Sequence, residues 1–256
     1  MSWERQIHIK SPAELEIMRE AGRINATVLA TVKELLQPGV STADLNAAAE
    51  EVLQAHGCVS PFKGYGQPPF PASITVSINE ELVHGIPNSR RKLKAGDIVS
   101  IDCGTVFEGF VGDSAFTAGV GKISPAAQKL LDVTQGALDA AIEQMRPGNR
   151  TGDISAAIQT CVENAGLHVT REYTGHGVGR QMHEGPQVPN YGVPGRGLPL
   201  RPGMTIALEP MVLEGTSETR VQPDQWTVVS ADGSLTAHFE HSVAITEGEP
   251  LILTVL

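Results

Sequence analysis

Cysteine is scarce in this chain. Cys58, Cys103 and Cys161 are the only three among 256 residues, far apart and without a Cys-x-x-Cys spacing. That argues against a disulfide scaffold and a structural zinc site, and for a reducing compartment. Long apolar runs are missing too: none approaches the ~18 residues a membrane-spanning helix needs. The first residues, Met1-Ser2-Trp3-Glu4-Arg5, hold no apolar stretch of the signal-peptide kind, so the expected location is the cytoplasm. Basic blocks are few. Net charge is −10, and the one short patch, Arg90-Arg91-Lys92 with Lys94, reads as a solvated loop. Nucleic acid is therefore not expected as the main ligand. The acidic balance favours solubility and says little about substrate.

What is present is enough for one sizeable core or two fused halves: 41% of the residues are hydrophobic, with 27 Gly and 17 Pro to supply turns. The chain repeats itself. Residues 38–57 read PGVSTADLNAAAEEVLQAHG and residues 147–166 read PGNRTGDISAAIQTCVENAG, a constant offset of 109. Each has the grammar of a helix: a Pro-Gly turn, Thr42 or Thr151 as the expected N-cap, an acid in the first turn, an apolar stripe and a Gly stop. His84-Gly85-Ile86-Pro87 resembles His183-Glu184-Gly185-Pro186. Gly96 precedes Asp102 by the same six residues that separate Gly203 from Glu209. Residues 13–36 and 125–145 have helical spacing, with Ser11-Pro12 and Ser124-Pro125 as starts. Strand-like runs cover roughly 73–78, 98–107, 110–120, 205–214, 226–231 and 236–245. The expectation is one α+β domain over 1–256, made of two duplicated halves (about 12–120 and 125–250) related by a pseudo-twofold axis around a curved antiparallel sheet.

Five residues carry the chemistry: Asp102, Asp113, His176, Glu209 and Glu240. Asp102 ends the apolar run Ile98–Ile101 and Glu209 ends Thr205–Leu208, where a charge is expensive unless paired or bound to metal. With Glu108-Gly109 as a two-residue turn, Gly104 faces Asp113 and Asp102 faces Ala115. The two aspartates then become diagonal neighbours on one face. Like charges there destabilise each other unless a cation intervenes; the bland alternative is an exposed acid in a surface hairpin. His176 lies between Gly175 and Gly177, where backbone can approach a cluster closely, although a lone glycine-flanked His is more often a turn residue. Alternation puts Glu240 with His238 and Ser242 on one face. Four carboxylates balance two divalent cations, and such donors suit hard or borderline ions.

The words SINEELVHGIP (77–87), IDCGTVFEGFVGDSA (101–115), GHGVGRQMHEGP (175–186), TIALEP (205–210) and FEHSVAIT (239–246) resemble those of type I methionine aminopeptidases, over essentially the whole length. The resemblance implies the pita-bread (creatinase/aminopeptidase) fold. It also implies removal of the N-terminal methionine from nascent proteins and peptides when the second residue is small. Two divalent metal ions (Co, Mn, Fe, Zn or Ni) would activate the attacking water. By resemblance Asp102 would bind the first ion, His176 and Glu209 the second, and Asp113 and Glu240 both. Glu209 would also be the general base. His183 would stabilise the oxyanion, and His84 would hydrogen-bond the substrate near the scissile nitrogen. Tyr65, Phe70, Thr75, Met182 and Trp226 would form the methionine pocket; ordinary core packing is the alternative for each. A monomer is expected, with at most transient ribosome association.

The sequence departs from the family at four places. Met182 stands where an aromatic is common and Thr75 where a Cys is common. The segment 64–71 is two residues longer than in the shortest relatives. His238 replaces an amide, which bears on water positioning. Two other readings share the fold. An Xaa-Pro peptidase usually carries a large N-terminal domain, for which this sequence has no counterpart. A non-catalytic binding protein should have lost ligands, and all five are kept.

Overall fold

The computed structural model describes residues 7–256; the Met1–Arg5 start, read above as lacking a signal peptide, lies outside them. Each half opens with two helices. In the first half these are α1 (Pro12–Glu34) and α2 (Thr42–Ala55), in the second α3 (Pro125–Glu143) and α4 (Thr151–Asn164). Ser11 caps α1 in a reciprocal box with Glu14, and Ser124 caps α3 by accepting from the Ala127 N–H. The expected Thr caps of α2 and α4 are corrected by the structure. The N-cap residues are Ser41, boxed with Asp44, and Arg150, whose N–H donates to Asp153 at 2.7 Å. Thr42 and Thr151 sit one residue inside, where their hydroxyls accept from Asn88 N–H (2.8 Å) and Leu198 N–H (3.1 Å). Each threonine thus ties its helix to an incoming loop.

The first half continues with β1 (Ile74–Ile78), β2 (Glu81–Val83), β3 (Ile98–Phe107) and β4 (Phe110–Gly119). The second continues with β5 (His168–Val169), β6 (Thr174–Gly177), β7 (Glu184–Pro189), β8 (Thr205–Leu208), β9 (Met211–Leu213), β10 (Thr219–Val221), β11 (Val228–Ser230), β12 (Thr236–His238), β13 (Glu240–Ala244) and β14 (Leu251–Ile252). The main sheet runs β1-β3-β4-β13-β8-β6-β7, with β14 also on β13, and every pairing in it is antiparallel. Two three-stranded sheets, β10-β11-β2 and β12-β9-β5, flank it.

The halves meet where β4 pairs β13, and their equivalence extends to single hydrogen bonds. Gly96 N–H donates to Val120 O and Gly203 N–H to Ile245 O, each at 2.9 Å. Thr42 N–H donates to Arg91 O and Thr151 N–H to Leu198 O, again at 2.9 Å. Both glycines ahead of the strands have positive φ, 94° and 84°, which a side chain would strain. One apolar cluster, around Val28, Leu45, Ile74 and Ile101, fills the space between α1, α2 and the first-half strands. Its counterpart around Leu138, Ile158, Ile206 and Val243 does the same in the second half. Helices therefore cover one face of the sheet, and the other is left for chemistry.

Three readings of the strands change. The run 205–214 breaks at Glu209-Pro210 into β8 and β9, and 236–245 breaks at Phe239 into β12 and β13. The glycine-rich β6 and its partner β7 carry no alternating apolar pattern, and neighbours impose them. The basic patch is not wholly solvated, because Arg91 pairs with the buried Glu81.

The segment ahead of α1 is bound to the second half. Lys10 N–H donates to Gly203 O at 2.8 Å, and its ammonium meets Glu184 at 2.6 Å with both side chains at most 4% exposed. Glu184 is the neighbour of His183. Losing one partner of a buried pair strands the other charge. Lys10→Met is therefore expected to lower the unfolding free energy by about 3–5 kcal/mol. Adding Glu184→Gln should recover a large part, which urea denaturation of both variants checks.

Candidate metal centre

Strand register brings the five donors together. Across the sheet, Thr75 pairs Asp102, Asp102 pairs Ala115, and Ala115 pairs Glu240. These four form one transverse row on one face, and the small Ala115 leaves room between the two acids. Glu108 and Gly109 both have positive φ, as a type I′ turn requires. Asp113 consequently faces Gly104 and shares the face of Asp102, as read from the sequence. Ser242 fixes the backbone of Asp113 twice, accepting from its N–H (3.1 Å) and donating to its carbonyl (2.8 Å). A second row follows: Ser242 pairs Ala207 and Ala207 pairs His176. Glu209 lies two residues beyond Ala207, just after β8 ends at Leu208 and before Pro210.

His176 Nε2 stands 3.4 Å from Glu209 and 3.8 Å from Asp113. Its Nδ1 is 2.9 Å from Gly177 O. In the tautomer that donates there, Nε2 is left as a lone-pair donor. The register of β6 on β7 shifts between His176 and Gly177, an irregularity that re-aims this stretch as a bulge does. An added Cβ at Gly177 would run into the backbone of Gly185, so the close approach requires glycine.

The donors form the floor of a cleft of about 290 Å³, at the low end for ligand pockets. His84 and His183 both line it, one from each half. His84 has φ 61° and packs edge-on against Tyr173 and Trp226. The His183 ring centroid is 4.4 Å from that of His176, and its Nδ1 is 2.8 Å from the Tyr65 hydroxyl. All five expected pocket residues, Tyr65, Phe70, Thr75, Met182 and Trp226, line the same cleft. Trp226 donates to Pro68 O at 3.0 Å and meets Phe70 edge-on. Phe62, Tyr173 and Met211 also line it and were missed by sequence reasoning. Tyr173 had a signal, since it opens the glycine-flanked word around His176. Phe62 and Met211 had none, because only the fold brings them near.

The electrostatics call for a cation. Among the described residues, no lysine or arginine lines the cleft. Burial, then the neighbouring carboxylates, pushes Asp102, Glu209 and Glu240 well above the usual carboxylate range. Burial takes Asp113 up to about 7. Burial also holds His176 and His238 down at about 3 and His84 at about 4, so no imidazolium supplies the missing charge. Asp102 Oδ1, Asp113 Oδ1, Glu240 Oε1 and His238 Nε2 are buried with no hydrogen-bond partner among the described residues. Orphans of this kind are rare in folded proteins. The donor set fits divalent ions: hard carboxylates with imidazole nitrogen.

This sets a pH dependence for the metal-free protein. The raised carboxylates stabilise the fold while protonated, and that contribution is lost as pH rises through their folded pKa, about 7 for Asp113. The depressed histidines act oppositely, but only below the ordinary histidine value of about 6.5. From pH ~6.5 upward the carboxylates act alone. Stability in EDTA should then fall by about 1.4 kcal/mol per pH unit for each carboxylate that stays protonated in the fold and is ionised in the unfolded chain, and level off once the folded group ionises. Saturating Mn²⁺ or Co²⁺ should remove that slope. Calorimetry between pH 6.5 and 8.5 checks both, and a flat profile in EDTA would show the acids are not held neutral.

A sequence profile of Metallopeptidase family M24 matches residues 16–247. A curated relative, methionine aminopeptidase 1 of Bacillus subtilis, is 51% identical over 96% of this chain and 98% of its own. The crystal structure of methionine aminopeptidase from Thermotoga maritima superposes with a TM-score of 0.95 at 45% identity, covering 98% of this chain and all (100%) of that one. The prolidase from Pyrococcus furiosus shares the fold at 21% identity and a TM-score of 0.79, over 99% of this chain and 66% of that one. The curved antiparallel sheet between duplicated halves is thus the pita-bread fold. The chain belongs to metallopeptidase family M24, on the branch of its methionine aminopeptidase relatives.

Proposed function

We propose that this chain removes N-terminal methionine from nascent polypeptides and peptides whose second residue is small. The observation that carries this reading is five donors, four of them buried and Glu209 partly so, at the floor of an aromatic-lined cleft with no lysine or arginine among the described residues that line it. Asp102, Asp113, His176, Glu209 and Glu240 would hold two divalent ions. Bound there, the ions would polarise the scissile carbonyl and acidify the attacking water.

The rest is done by the chain. Glu209 takes the proton of the attacking water and passes it to the leaving amine. With Tyr65 donating to His183 Nδ1, Nε2 carries the hydrogen and donates to the oxyanion of the tetrahedral intermediate. His84, held by Tyr173 and Trp226, orients the substrate near the scissile nitrogen. Tyr65, Phe70, Thr75, Met182 and Trp226 take the methionine side chain, whose thioether suits aromatic faces. The second residue lies against the cleft wall, and a long side chain would displace the carbonyl. A misplacement of about 1 Å costs roughly 100-fold.

One panel tests the reading: Met-Ala-Ser, Met-Leu-Ser and Gly-Pro, with metal-free and reconstituted protein. Methionine release from Met-Ala-Ser should need divalent ion and exceed that from Met-Leu-Ser by about 100-fold. Cleavage of Gly-Pro alone would make the chain an Xaa-Pro peptidase. No cleavage with any ion would make it a binding protein. Turnover surviving exhaustive chelation would rule out the metal-dependent reading.

A further inference from the structure

His238 stands outside the five donors named above. We propose that its Nε2 is a sixth ligand, completing with Asp102 and Glu240 a mixed nitrogen–oxygen site for a borderline divalent ion such as Co²⁺, Fe²⁺ or Zn²⁺. The proposal rests on the metallopeptidase reading of the centre and adds a residue to it.

Nε2 of His238 is buried without a hydrogen-bond partner among the described residues, on a residue 2% exposed. It lies 3.6 Å from Glu240 Oε2 and 3.9 Å from Glu209 Oε2. Those separations are too long for hydrogen bonds. They come close to what coordination requires: two donors about 2.1 Å from one ion and 110–120° apart stand roughly 3.4–3.6 Å from each other. His176 Nε2 has the same relation to its own carboxylates, at 3.4 Å and 3.8 Å. Ligand atoms of Asp102, His238 and Glu240 lie within 4.8 Å of one another, as do those of Asp113, His176 and Glu240. The two imidazoles thus serve the carboxylate cluster from its two ends.

The backbone of His238 is built to hold it there. Its N–H donates to Thr117 Oγ1 at 2.9 Å, and its carbonyl accepts from the same hydroxyl at 2.8 Å. Ser100 braces Thr117 at 2.8 Å. An imidazole in place of an amide changes what the site prefers. An all-oxygen first site favours Mn²⁺-like ions, whereas a nitrogen donor shifts preference toward Co²⁺, Fe²⁺ and Zn²⁺.

The test uses the full chain, stripped of metal and titrated with Co²⁺, beside His238→Gln. The variant should bind Co²⁺ roughly 10- to 100-fold more weakly. Residues outside the coordination sphere can cost as much, so the imidazole count decides. At two Co²⁺ per chain, proton NMR of the wild type should show two strongly shifted, exchangeable imidazole N–H signals. The variant should show one. X-ray absorption at the cobalt edge should count two imidazoles per pair of ions in the wild type, which settles the matter even if the variant misfolds. One imidazole in the wild type at full occupancy would overturn the role of His238 and leave the metal centre standing. No shifted imidazole at all would overturn the centre itself. A variant with weaker binding but an unchanged imidazole count would put His238 outside the coordination sphere and overturn the inference.

Discussion

Glu209→Gln is expected to lower kcat by about 10²–10⁴-fold, the contribution usual for a positioned general base. The amide keeps the volume and an acceptor oxygen, and it cannot take a proton. Glu209 is well placed for the role. β8 ends beside it, Pro210 prevents the strand from continuing, and its side chain is 13% exposed, the most open of the carboxylates recorded beside the two histidines. It also sits 3.4 Å from His176 Nε2 and 3.9 Å from His238 Nε2, so the substitution is expected to weaken metal binding too. Measuring kcat at saturating divalent ion, with metal content determined on the same sample, separates the two effects. A loss smaller than tenfold at full occupancy would place the base elsewhere.

How much of this was readable from the amino acids depends on what fixes each element. The β3–β4 hairpin was readable because Glu108-Gly109 can adopt the paired positive φ of a tight turn. One turn fixes the register of every pair behind it, including the diagonal of Asp102 and Asp113. Both Ser-Pro helix starts were readable for the same local reason. At 41–42 and 150–151 the threonine reads as the cap, yet the cap is the residue before it, Ser41 in one half and Arg150 in the other. A tertiary demand decides this: the incoming loops at Asn88 and Leu198 take up the threonine hydroxyls. The stretch Thr174–Gly177 has too few side chains to show any period. It becomes a strand because β7 and β8 offer hydrogen bonds on both sides. The donor set was legible as residue types, and its sharing of one face follows from register. The ring of Phe62, Tyr173 and Met211 around the pocket depends on distant segments meeting, which no local pattern records.

His183→Ala is expected to lower kcat by about 10²–10³-fold while KM changes little. The reason is where charge appears. In the bound substrate the carbonyl oxygen is neutral, and a donor aimed at it contributes modestly. In the transition state that oxygen is anionic, and the same donor acts in a cleft whose floor is buried. His183 is prepared for this by one direct contact and by an anchored chain neighbour. The Tyr65 hydroxyl at 2.8 Å from Nδ1 comes from the first half. The neighbouring Glu184 is anchored by Lys10 at 2.6 Å. A donor fixed in advance needs no reorganisation when the oxyanion forms, so its effect falls on kcat. Steady-state kinetics on Met-Ala-Ser separates the two parameters. If His183→Ala raises KM and spares kcat, the residue binds the ground state and the oxyanion donor lies elsewhere.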